Sequence, residues 1–148
     1  MKNLIVLITA IILISSACKK PEQSLCCILD ISVQGTLDSN FLYSNVITPN
    51  ADGVNDYLFL KKDVSGIFKI QIFDDSDNLL FLDADYSNQF NGITNNGLTI
   101  ADGIYKVVCI MPNSSAEFSL LIIRNKVSSM SCVSDCQPKD PGDPVLNP

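Results

Sequence analysis

The sequence predicts an all-β fold: an antiparallel β-sandwich of about seven strands, preceded by an N-terminal signal helix and followed by a disordered C-terminal tail. Three observations predict it. Short apolar runs, several with period-two alternation, recur through the middle of the chain, and clusters of Asn, Asp, Gly and Pro separate them. No segment beyond the first seventeen residues sustains a helical period. Strand following strand without an intervening helix favours stacked sheets over a βαβ arrangement.

Residues 1–17 begin with the cation Lys2. They continue as an apolar run from Leu4 to Ile14, broken only by Thr9, and end on Ser15-Ser16-Ala17. This is the layout of a secretory signal. The run falls short of the roughly 20 residues that a membrane-spanning helix needs. Cys18 follows the small residues directly, and this junction resembles the lipobox of bacterial lipoproteins. The resemblance implies a diacylglyceryl group on the Cys18 thiol, cleavage before it, and acylation of the new amine. Each buried CH₂ of such chains contributes about 0.8 kcal/mol, so several chains hold a protein firmly on a membrane. The alternative is an ordinary signal cut near Ala17, with Cys18 incidental. Residues 18–26 then form a polar tether, Lys19-Lys20-Pro21-Glu22-Gln23-Ser24 being its charged part.

The sandwich is expected over 27–125. Leu29, Ile31 and Val33, spaced by two, give a strand within Cys27–Leu37 that Gly35 ends. Phe41–Ile47 is a second apolar stretch, closed by Thr48-Pro49-Asn50. After a polar loop comes a short strand, Tyr57–Leu60. Ile67–Phe73 alternates, with Phe68, Ile70 and Ile72 on one face and Lys69 and Gln71 on the other. The turn Asp74-Asp75-Ser76-Asp77-Asn78 leads into Leu79–Leu82, which makes a hairpin. Residues 83–97 read as loop. Ile104–Met111, a turn at Pro112-Asn113-Ser114-Ser115, and Glu117–Arg124 complete the set. Residues 126–148 form a tail with Cys132, Cys136 and four prolines, expected to be disordered past Cys136.

Composition excludes several functions. The chain has ten basic residues, Lys2 among them, against sixteen acidic ones. Nucleic-acid binding relies on clustered Lys and Arg and is disfavoured. Histidine is absent, which removes the commonest general base, the Ser-His-Asp and Cys-His systems, and the commonest zinc ligand. Six cysteines occur. With Cys18 lipidated, five face an oxidising compartment. Cys26 and Cys27 near one end and Cys132 and Cys136 near the other are disulfide candidates, with connectivity open. Each such closure contributes about 4–5 kcal/mol in the chain-entropy picture. A zinc site built from the same four thiols is the alternative. Cys109, inside Val107-Val108-Cys109-Ile110, reads as a buried free thiol.

From Asn45 to Arg124 the chain resembles the gliding-motility-associated C-terminal domain, the type B sorting domain of the type IX secretion system in Bacteroidota. That family opens on Asn-Val-Phe-Thr-Pro-Asn-Gly-Asp-Gly-x-Asn-Asp. Here the stretch reads Asn45-Val46-Ile47-Thr48-Pro49-Asn50-Ala51-Asp52-Gly53-Val54-Asn55-Asp56. Ile72-Phe73 and Asn78-Leu79-Leu80-Phe81 follow in the family order. Phe90-Asn91-Gly92 stands for its Trp-Asp-Gly, and Ile100-Ala101-Asp102-Gly103-Ile104-Tyr105 for its Leu-Pro-Asp-Gly-Thr-Tyr. Phe118 to Arg124 matches the closing strand. The family's Arg-Trp-Gly in the hairpin turn is replaced by Asp75-Ser76-Asp77. The resemblance implies an immunoglobulin-like sandwich, and together with the lipobox-like junction at Cys18 the expectation is a small stand-alone lipoprotein that reuses the domain.

Asn50, Asp52, Asn55 and Asp56 set oxygen-bearing side chains around Gly53, a pattern that calcium could use. The alternative is a tight turn, with these side chains on local amides and Gly53 at positive φ. No cofactor is otherwise implied. Asp74, Asp75 and Asp77 read as a solvated hairpin turn. Asp83 and Asp85 lack the aromatic surroundings of a glycosidase pair. Tyr43, Tyr57, Tyr86 and Tyr105 read as half-buried strand residues, Tyr86 with the option of a binding surface. The expected function is that of a non-enzymatic outer-membrane lipoprotein, periplasmic or surface-exposed. Its expected partners are the membrane, through the lipid, and envelope or secretion-system proteins. The alternative is a calcium- or glycan-binding adhesion module.

Overall fold

A computed structural model describes residues 26–36, 41–61, 69–125 and 133–146. The expected signal helix at 1–17, Cys18, the tether to residue 25, Phe68 and Cys132 lie outside the described residues. The described chain is all-β, as expected, with eight strands and one 3₁₀ turn at Val133–Asp135. The strands are β1 (Ile31–Gly35), β2 (Leu42–Tyr43), β3 (Val46–Ile47), β4 (Leu60–Lys61), β5 (Lys69–Phe73), β6 (Leu79–Asp83), β7 (Gly103–Met111) and β8 (Ser114–Ile122). Six of them form one sheet in the order β1-β8-β7-β5-β6, with β3 also on β8, while β2 and β4 pair as a second, two-stranded sheet.

The long hairpin β7–β8 is the centre of the sheet. It turns at Pro112-Asn113 and stays in register from Met111 opposite Ser114 to Gly103 opposite Ile122. Alternation decides which face is buried. Ile70 and Ile72 of β5 are fully buried, while Lys69 and Gln71, which alternate with them, are not. Val107 and Cys109 of β7 and Phe118, Leu120 and Ile122 of β8 continue the same face. Ile47 joins this face through β3, and Leu58, Leu60, Tyr86, Phe90 and Ile100 pack against it from outside the sheet. Phe90, 1 % exposed, meets Phe81 with ring centroids 4.8 Å apart. Full burial of each such side chain contributes about 1.5–3 kcal/mol.

The stretch 41–47, expected as one strand, is divided. Ser44 and Asn45 interrupt it, so that β2 joins one sheet and β3 the other. Ser44 accepts from the Phe59 amide through its hydroxyl (3.0 Å) and donates its own amide to the Phe59 carbonyl (2.9 Å). β3 then runs parallel to the end of β8, Val46 opposite Leu121 and Ile47 opposite Ile122. The first half of β8 is taken by β1, antiparallel, from Gly35 opposite Ser114 to Ile31 opposite Phe118. Two short strands therefore share one edge of β8, and the parallel one departs from the expected all-antiparallel pattern. At the other end of the sheet the Asn95 carboxamide accepts from the Leu82 amide (2.7 Å) and donates to the Leu82 carbonyl (3.0 Å). It stands in for a further strand beside β6.

The tail corrects the sequence reading. Over Val133–Leu146 it is ordered on the domain, not disordered. Val145 and Leu146 are 7 % and 2 % exposed and form a second apolar cluster with Cys27, Val46, Leu121 and Ile123, on the sheet face opposite the main core. Cys27 and Cys136 are joined by a disulfide with Cα atoms 5.0 Å apart across 109 residues. Cys26 is also disulfide-bonded. A proline-rich composition disfavours regular structure, but a covalent tie and two apolar anchors suffice to fix an irregular strap. Replacing Cys27 and Cys136 together by Ser is expected to cost about 2–5 kcal/mol in denaturant melting. Amide hydrogen exchange over 137–146 is expected to accelerate more than exchange in β7. Equal acceleration in both would show that the disulfide does not act locally.

Candidate functional site

The stretch 45–56 begins in β3 and leaves it as a loop, and its polar side chains are nearly all committed to backbone. Asp56 is the hub. One of its oxygens accepts from the amides of Asn50 (3.0 Å) and Ala51 (2.9 Å), the other from the amide of Gly53 (2.8 Å). Asn50 and Asp52 hold each other, side chain to side chain at 2.9 Å, and each accepts one further loop amide. Gly53 takes φ +88°, as the tight-turn reading requires. Ala51 is at φ +67° and Asn55 at φ +48°. Ala51 stands where the motif of the resembled family has Gly, so a Cβ occupies a left-handed position at a cost of about 1–2 kcal/mol.

Asn55 turns away from the loop. Its amide donates to the Asp140 carbonyl (2.7 Å) and to the Asp143 carboxylate (2.9 Å), and its oxygen accepts from the Asp140 amide (2.8 Å). The Thr48 hydroxyl lies between the Val54 carbonyl and the buried Asp143 carboxylate. Asn45, fully buried, donates to the carbonyls of Asp135 (2.9 Å) and Ile28 (3.3 Å) and accepts from the Gln137 amide (2.6 Å). These three residues fasten the tail and the N-terminal segment to the sheet. The four residues offered for calcium are thus not brought to one point: Asp56 faces the loop amides, Asn50 and Asp52 face each other, and Asn55 faces the tail. Among the described residues no group of three or more Cys, Asp or Glu side chains is placed to hold a metal ion.

The other acidic groups are local. Asp74 accepts from the side chain and backbone of Asn78 and from the Ser76 amide. The Asn78 side-chain amide, then its backbone, hold the Asp74 carboxyl below the usual carboxylate range. Asp83 receives the Gln89 side chain and the Asp85 amide (2.9 Å). Burial pushes the free thiol of Cys109 up to about 12, which makes it a poor nucleophile. Tyr86, given the option of a binding surface, is instead buried at 4 % exposure. Its hydroxyl donates to the Leu58 carbonyl (2.6 Å) and accepts from the Phe90 amide (3.3 Å), and burial raises its pKa.

Beside the signature loop lies an open concavity of about 460 Å³, lined in part by Pro49, Tyr57, Asn91, Ile93, Thr99 and Arg124. Sequence reasoning did not single out this set. Tyr57 is 51 % exposed. Arg124 is pinned: Nη1 donates to Asp102 (2.7 Å) and Nη2 to the Gly92 carbonyl (3.3 Å). A Cβ at Gly92 would stand 2.8 Å from that Nη2, so only glycine lets the guanidinium lie there.

Residues 41–122, over half of the chain, match the family model of the CHU_C Type IX secretion signal domain. No curated protein and no solved structure matches the chain.

Relieving the left-handed alanine is expected to outweigh the extra freedom of glycine in the unfolded chain. Ala51→Gly should stabilise the protein by about 0.5–1 kcal/mol in denaturant melting, whereas a loss of stability would contradict the strain at this position. Cys109 should resist maleimide at pH 8 in the native protein and react on unfolding. The sign follows from the raised pKa. The stability that Cys109 contributes is complete below the unfolded thiol value near pH 9 and falls as pH rises towards about 12.

Proposed function

This chain belongs to the CHU_C Type IX secretion signal domain family, and from that premise we propose that it is a non-catalytic lipoprotein of the cell envelope. Acyl chains on Cys18 hold it at the outer membrane, and its β-sandwich acts by protein interaction or surface attachment. The observation that carries this reading is the family match itself, which spans every described strand except β1.

Further features support it. A type IX secretion domain implies an exported protein of the envelope or exterior. The signal layout of residues 1–17 followed by Cys18 supplies an anchor. Non-catalytic action is supported by the lack of histidine, by a free thiol kept protonated in the core, and by a signature loop whose carboxylates are occupied by backbone amides. The strap bonded at Cys27–Cys136 suits an oxidising compartment.

Mass spectrometry of the mature protein tests the anchor: the expected N-terminus is an acylated, diacylglyceryl-modified Cys18. Cys18→Ser is expected to move the protein from the membrane to the soluble fraction. An unmodified Cys18, or a mature start elsewhere, removes the anchor from the reading. Chemical cross-linking in intact cells tests the second half, and recovery of no envelope protein on the sandwich would count against protein interaction.

A further inference from the structure

We propose that the concavity beside the signature loop is a binding site for neutral saccharides. The proposal goes beyond the reading of the domain as a non-catalytic envelope module and is independent of Cys18. Its volume, about 460 Å³, falls within the roughly 300–1,000 Å³ common to small-molecule sites.

Its walls divide into two kinds of surface. Pro49, Ile93 and the half-exposed Tyr57 ring are apolar. Such faces stack on the C–H faces of a sugar ring. Asn91, Thr99 and Arg124 are the polar groups. Asn91 is the telling one. Asn45, Asn55 and Asn88, the other sheltered asparagines, all commit their carboxamides to backbone groups. Asn91 is half-buried, lines the concavity and makes no side-chain hydrogen bond among the described residues. A carboxamide offers two donors and an acceptor. Left half-sheltered without an internal partner, it is suited to a ligand that carries both.

Charge narrows the ligand class. The Arg124 cation is matched by Asp102 at 2.7 Å, and Asp56 adds a carboxylate to the lining. The site thus presents no unbalanced positive charge to a phosphate or carboxylate ligand. Arg124 uses one N–H on Asp102 and one on Gly92 and retains others, held in a fixed position. A partner with apolar faces, alternating donors and acceptors, and no charge fits this lining. A saccharide has all three properties.

The test uses the full mature chain in a detergent without a sugar headgroup. Maltotriose, cellotriose and N,N′,N″-triacetylchitotriose are offered separately, with glucuronate as a charged comparison, and saturation-transfer difference NMR reads contact through the ligand protons. At least one should show transfer at millimolar concentration. Tyr57→Ala should weaken that binding by about tenfold or more, with the melting temperature unchanged. Asn91→Ala should weaken it likewise, and it serves as the independent variant if Tyr57→Ala does not fold. No transfer to any of the three sugars overturns the proposal, as does transfer that both variants leave intact. Preference for glucuronate over the neutral sugars overturns the assignment of ligand class. A lipidated, membrane-bound chain that shows no transfer loses this site and keeps its envelope role. A chain that binds sugar without acylation does the reverse.

Discussion

The hydrogen-bond demand of one strand organises this domain. β8 lies within the sheet, and an interior strand must find partners along both edges, because a buried amide left unpaired costs as much as a lost hydrogen bond. β7 fills one edge completely. No single strand fills the other. β1 serves the first half and β3, running the opposite way, serves the second. Both must be brought to β8 from distant parts of the chain. The apparatus for doing so is the Asn45 corner, the signature loop and the disulfide-tied tail.

The signature motif is thereby explained as a set of fasteners. Asn45 bonds to three segments at once, through its side chain to residues 28, 135 and 137 and through its backbone carbonyl to the Leu121 amide. Asp56 gathers three amides of its own loop. Asn55 and Thr48 reach out to the tail. Motif residues of this kind are commonly suspected of binding ligand. Here their geometry serves the backbone, and the unoccupied polar capacity lies next door, at Asn91 and Arg124. The tail that Asn45, Thr48 and Asn55 hold lies outside the 41–122 family match. Side chains of the motif therefore secure a segment that lies beyond the matched region.

Much of this was legible in the sequence where one rule acts alone. The alternation in Lys69–Phe73 set Ile70 and Ile72 inward. Gly53 and the Asp-Asn spacing marked a turn. What was not legible depended on contacts distant in sequence. Val46 and Ile47 are both buried, so no alternation marks β3, and its parallel partner is a strand some seventy residues away. The tail looked disordered because its composition is. Its order comes from Cys27, Asn45 and Asn55, which no local window contains. Tyr86 sat in a polar stretch and looked exposed, yet the Leu58 carbonyl satisfies its hydroxyl and allows the ring inside. The concavity escaped notice because its lining is contributed from four separate places in the chain.

The Asn95 carboxamide on Leu82 has a consequence for crowding. Molecules concentrated on a surface collide edge to edge, and an exposed strand margin is the place where sheets fuse into polymers. Polymer growth needs two sticky margins on every unit. In this domain the β6 margin is plugged at Leu82 by a side chain that imitates a neighbour. Within the six-stranded sheet the β1 margin, at the opposite end, has no strand on its outer side. Joining through the β1 margin leaves two plugged β6 margins on the outside, so the joined sheet is not extended at those ends.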